Sequence, residues 1–107
     1  MKSLIQGLAL AATLAAAQSR VTGVITDSEC SDGDHSHMKM GPTNAECVIA
    51  CVASHGASYV LYDGKQSWTL SDQKTPEKFA GTRVIVTGTL SAKTMTIQVD
   101  SIVAAKE

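Results

Sequence analysis

The chain has 107 residues with 9 Lys or Arg against 10 Asp or Glu, a net charge of −1 at pH 7. That length suits one domain and not two. A near-neutral, slightly acidic chain with one Phe, one Trp and two Tyr lacks the basic, aromatic footprint of a nucleic-acid binder.

The first 17 residues read as a secretory signal peptide. Lys2 supplies a positive start, Leu4 to Ala17 an apolar run, and Ala15-Ala16-Ala17 a small-residue cleavage site. The run is shorter than the ~20 apolar residues a membrane-spanning helix needs. The expectation is a secreted or periplasmic protein with no membrane span after cleavage, its mature domain being residues 18–107. Loss of Lys2 would make that domain one charge more negative.

In chain order, Arg20 to Thr26 is rich in β-branched residues and predicts a first strand. Asp27 to Gly41 carries Asp, Ser, Gly, His and Met with no apolar periodicity. It predicts a loop of roughly 15 residues, a length associated with function or disorder. Thr43 and Glu46 then form a capping box, and Gly56 stands where a helix-ending glycine belongs. Between them Asn44, Cys47, Val48, Cys51, Val52 and His55 fall on one helical face.

Tyr59–Tyr62 and Gln66–Leu70 flank Asp63-Gly64, which predicts a hairpin closed by a two-residue turn with positive φ at both central positions. Thr75 is the expected cap of a short helical turn with Pro76 at its first position, Gly81 at its end, and Phe79 as a core plug. In Thr82–Leu90, Val84, Val86 and Leu90 share one face. In Thr94–Val103, Met95, Ile97, Val99 and Val103 do the same, with Ser91-Ala92-Lys93 turning the chain between the two. The fold expected is mainly β: a small five-stranded OB-like barrel, with one helix inserted after strand 1 and a short helix between strands 3 and 4. A small open β-sandwich or roll is the competing architecture.

Thr26-Asp27-Ser28-Glu29-Cys30, the His/Met loop, Cys47-x-x-x-Cys51 and Gly56-Ala57-Ser58-Tyr59-Val60-Leu61 form a recognisable series. The series resembles a group of uncharacterised small secreted bacterial proteins with a Cys…His…Cys-x3-Cys pattern. The closing segment, Phe79 to Val84 and Val86 to Leu90, is similar to bacterial OB-fold proteins. The resemblance implies the fold and brings no activity with it.

Three cysteines, Cys30, Cys47 and Cys51, all lie after the signal segment. In an oxidising compartment an odd number leaves a thiol over, unless the three share a metal. Cys47 and Cys51 are helical neighbours at i and i+4. With Cys30 and His37, or His35 in its place, they would make a Cys₃His set suited to zinc. Soft thiolates, with thioethers at Met38 and Met40, would also suit copper. His35-x-His37 in an extended segment puts both rings on one side.

The leading expectation is therefore an exported zinc- or copper-binding module of the bacterial envelope or exterior. The alternative is a disulfide-stapled OB-like interaction or ligand-binding module without metal, able to bind a protein partner or self-associate through its odd thiol. Thiol redox chemistry ranks third, since Cys-x-x-Cys spacing is missing. His55 reads as a helix-end residue, Met38 and Met40 as loop-anchoring filler. No hydrolase triad, phosphate loop or zincin motif is present, so no catalytic residue is assigned.

Overall fold

In the computed structural model, which describes residues 18–36 and 39–106, five strands close into a ring. The segment expected to be a signal peptide, residues 1–17, lies outside the described residues, as do His37, Met38 and Glu107. In chain order the elements are β1 (Ser19–Asp27), α1 (Asn44–His55), β2 (Tyr59–Tyr62), β3 (Ser67–Leu70), a 3₁₀ helix (Thr75–Phe79), β4 (Arg83–Ser91) and β5 (Thr96–Ala104). The ring runs β1-β2-β3-β5-β4 and returns to β1. The helix after strand 1 and the short helix between strands 3 and 4 stand where the sequence places them. A closed ring sets aside the open sandwich.

β1 is long because it serves two partners. Its first half pairs antiparallel with β4, from Ser19↔Gly88 to Val24↔Arg83, and its second half with β2, from Val24↔Tyr62 to Asp27↔Tyr59. Gly23 sits where the partner changes, and a Cβ there would fall 2.3 Å from the Tyr62 carbonyl oxygen. Only glycine lets the strands approach so closely at this corner. β3 and β5 close the ring in parallel through Thr69↔Thr96 and Leu70↔Ile97. The core holds Ile25, Leu61, Leu70, Val84, Val86 and Ile97, with Val48 of α1 packed among them.

Four local expectations change. The Asp63-Gly64 turn is not a two-residue turn: Gly64 has φ 102° but Asp63 does not have positive φ, and Tyr62 pairs with Ser67 across a longer loop. Asp63 works instead through its carboxylate, where Oδ1 accepts the Lys65 and Gln66 amides at 2.8 Å and Oδ2 accepts Trp68 Nε1 at 3.0 Å. These bonds hold its carboxyl below the usual range, the Gln66 amide contributing most.

The 3₁₀ helix is not capped by Thr75, which lies inside it. Asp72 Oδ1 accepts the Lys74 and Thr75 amides at 2.9 and 3.0 Å instead. Phe79 does not plug the core either. It is half-buried against it, and Pro76 and Ala80 are the buried residues there.

In β5 the alternation breaks at a bulge. Thr87 pairs with Ser101 but Gly88 pairs with Val99, which leaves Asp100 as the extra residue. A bulge shifts inward and outward positions by one. Ile102 consequently packs against the core, and Val103, expected inside, is 50 % exposed.

Candidate metal centre

α1 carries the helical part of the site. Thr43 caps it in extended geometry and its hydroxyl accepts the Glu46 amide at 3.1 Å, while Gly56 ends it at φ 70°. This start and stop set the rotation of the helix. Cys47, Val48 and Cys51 face inward and are buried, Val52 is half-buried, and Asn44 and His55 at the stripe's ends are exposed. His55 therefore stays a helix-end residue.

Cys30 comes from the other side. At the end of β1, Asp27 Oδ1 accepts the amides of Glu29 and Cys30 at 2.8 and 3.0 Å, and the Asp27 carbonyl also accepts the Cys30 amide at 3.1 Å. This side-chain-to-backbone turn folds Cys30 back toward the helix. The loop beyond is held by its own acids: Asp32 accepts the Asp34 amide and Asp34 the Ser36 amide, each at 3.0 Å.

His35 completes the group. One ligand atom each from Cys30, His35 and Cys47 lies within 4.8 Å of the others, and all three residues are buried. His35 Nδ1 and Cys47 Sγ share a hydrogen bond of 3.2 Å. The other ring nitrogen, Nε2, lies 3.3 Å from Thr26 Oγ1, whose single hydroxyl hydrogen goes to the Cys30 carbonyl at 2.8 Å. Toward His35 the hydroxyl can only accept, so Nε2 carries the ring proton. In the neutral ring this turns the Nδ1 lone pair toward Cys47. A ligand histidine whose second nitrogen donates to a fixed acceptor is the usual arrangement around a metal.

Cys47 Sγ also accepts the Met40 amide at 3.5 Å. Cys51 is fully buried and hydrogen-bonds Cys47, but its sulfur lies outside the 4.8 Å group. Burial, then the charge of Asp27, push the Cys30 thiol up to about 11 and the Cys51 thiol to about 12. Cys30 and Cys51 are free thiols. A cation would reverse the penalty on ionising thiols here, releasing protons as it binds. A cavity of about 300 Å³, lined in part by His35, Lys39, Asn44 and Cys47, adjoins the group.

Of the ligands expected from sequence, the structure brings together Cys30, His35 and Cys47, with Cys51 alongside. His35, the reserve, joins the group, and His37 lies outside the described residues. Two residues were missed. Thr26 and Asp27 are fully buried and, with His35, are the buried polar residues among those described. Their signal was the Asp-x-x-Cys spacing at a strand end, which places a carboxylate on the cysteine's amide. It was hidden because Asp27 also reads as the first acid of a solvated loop.

Ring and site define a small, mainly β protein whose buried polarity is gathered in one Cys/His/Cys group. The chain belongs to the family described as Protein of unknown function (DUF5818), whose model matches residues 52–105. The match covers the end of α1 and the ring from β2 onward, so Cys30, His35, Cys47 and Cys51 precede it. No curated protein and no solved structure matches the chain. Among the described residues, no helix is long and apolar enough to cross a membrane.

Proposed function

We propose that this chain is an exported metal-binding module of the bacterial envelope or exterior, and that Cys30, His35 and Cys47 hold its metal. The observation that carries the reading is the convergence of three buried donors from three separate segments. A tetrahedral zinc site with Zn–S near 2.3 Å sets its donor atoms roughly 3.3–3.8 Å apart. The His35–Cys47 separation of 3.2 Å is already close to that. The Cys30 sulfur lies within 4.8 Å of both. The fixed tautomer of His35 and the amide donated to Cys47 support the same reading, because both favour the metal-bound forms of those residues.

Export rests on the Lys2, apolar-run and Ala-x-Ala order of residues 1–17. The OB-like description rests on ring order: β1 bonds to both β2 and β4, and β3 and β5 run parallel. Here the ring acts as a rigid frame for the centre at the end of β1.

The test is metal analysis of the full chain purified without chelator and under reducing conditions. One zinc or copper ion per chain is expected, with loss of the ion in Cys47→Ser and in His35→Gln. Metal-free protein with a Cys30 disulfide found by mass spectrometry would overturn the reading and favour the stapled interaction module.

A further inference from the structure

Asp27 is the feature the three-donor site leaves unexplained. Its Oδ1 is fully used by the turn that holds Cys30, but Oδ2 is buried and has no hydrogen-bond partner. The residue is 0 % exposed. A carboxylate oxygen held from water without a partner is costly, and native proteins keep such groups where they meet a proton or a cation. This one stands among thiols, which offer no positive charge. After burial, its charge is the largest influence on the Cys30 and Cys51 thiols, and its Oδ1 is bonded to the Cys30 amide at 3.0 Å.

We propose that Asp27 is the specificity-determining residue of the centre, its unpartnered oxygen selecting a divalent ion of the zinc class over copper(I). The proposal rests on the metal-binding reading above. Two physical arguments carry it. Each added negative charge in a buried site stabilises a divalent ion about twice as strongly as a monovalent one, since the Coulomb energy scales with the ion's charge. Copper(I) prefers thiolate and thioether donors and draws less than zinc on a nearby carboxylate, which here stands outside the 4.8 Å donor group and acts through its charge. Sulfur count alone would give the opposite selection. In this chain Cys30 and Cys47 supply soft donors and His35 a borderline one, so the carboxylate tips the balance.

The experiment compares wild type with Asp27→Asn, which keeps an acceptor for the Glu29 and Cys30 amides and removes the charge. Zinc affinity is measured by competition with a chromophoric chelator, and copper(I) affinity by competition with bicinchoninate under reductant. Zinc binding is expected to weaken 10–100-fold, the range for loss of an outer-shell partner or more. Copper(I) binding should change less than 3-fold. Equal loss of both metals, or no loss of either, would overturn the role of Asp27 while zinc bound by wild type and lost in Cys47→Ser leaves the site itself standing. A wild type that binds neither metal overturns both. Should Asp27→Asn fail to give the folded thermal transition of wild type, Asp27→Ser repeats the comparison, since a serine hydroxyl can still accept the turn amides.

Discussion

The β4–β5 hairpin and the segment from Asp27 to His55 encode their structure in opposite ways. The hairpin is written in periodicity: Val84, Val86 and Ile97 point inward because every second residue must, and all are fully buried. The Asp27–His55 segment before it has almost no period until α1. Its buried polar residues, with Thr26 beside them, are fixed by single hydrogen bonds: Asp27 to the Cys30 amide, Thr26 to His35, His35 to Cys47. One region tolerates exchange of one apolar residue for another. The other fails if one donor or acceptor is lost. Substitutions in the hairpin should therefore cost stability and leave metal affinity per folded molecule unchanged, and substitutions in the site should do the reverse.

The largest stability effect belongs to the hairpin. Gly88 sits at the register shift, where a Cβ would lie 2.2 Å from the Gln98 carbonyl oxygen and 3.0 Å from Ile97 Cγ2. Backbone cannot move aside as a flexible side chain can. Gly88→Ala is expected to lower unfolding stability by about 2–4 kcal/mol in urea titration. Zinc affinity of the remaining folded fraction should stay within 2-fold.

Thr26→Val gives the converse. It keeps the shape at the end of β1 but removes the acceptor that holds the proton on His35 Nε2. A 10–100-fold loss of zinc affinity is expected by chelator competition. Apo stability should fall by only about 1 kcal/mol, the worth of the Thr26 bond to the Cys30 carbonyl. A variant that unfolds but binds zinc normally would erase the contrast between the two regions.

The smallest effect tests the β2–β3 turn, which belongs to neither. The Asp63 carboxyl is held below its ordinary value, so its ionised form is favoured in the folded state. Its contribution to stability is present in full above the unfolded value near pH 4, and is lost as pH falls through the lower folded value. Asp63→Asn is expected to cost about 1 kcal/mol at pH 7. The gap from wild type should shrink from about pH 4 downward in thermal melts. Asp72, held low by its bonds to Thr75 and Lys74, remains in both proteins.

How far the sequence spoke follows the same division. The capping box at Thr43 and the glycine at Gly56 located α1, because caps act within a few residues. The strands were legible from their alternation, but their order around the ring was not, because pairing partners are set by contacts distant in sequence. The bulge at Asp100 was not legible, because one inserted residue leaves the composition of β5 unchanged while reversing Ile102 and Val103. The cysteines marked the site, since thiols on a helix face after an odd one in a loop ask for an explanation. The hydrogen bond that orients His35 comes from Thr26, whose side chain is ordinary in a strand. Asp27 was obscured by three other acids nearby, which satisfy turn amides or face solvent.

X-ray absorption at the zinc edge of the reduced, zinc-loaded full chain tests the central claim most directly. The expected spectrum has two sulfur scatterers near 2.3 Å, from Cys30 and Cys47, with nitrogen or oxygen near 2.0 Å, including His35, completing the shell. A shell without sulfur, or a protein that takes up no zinc, would contradict it.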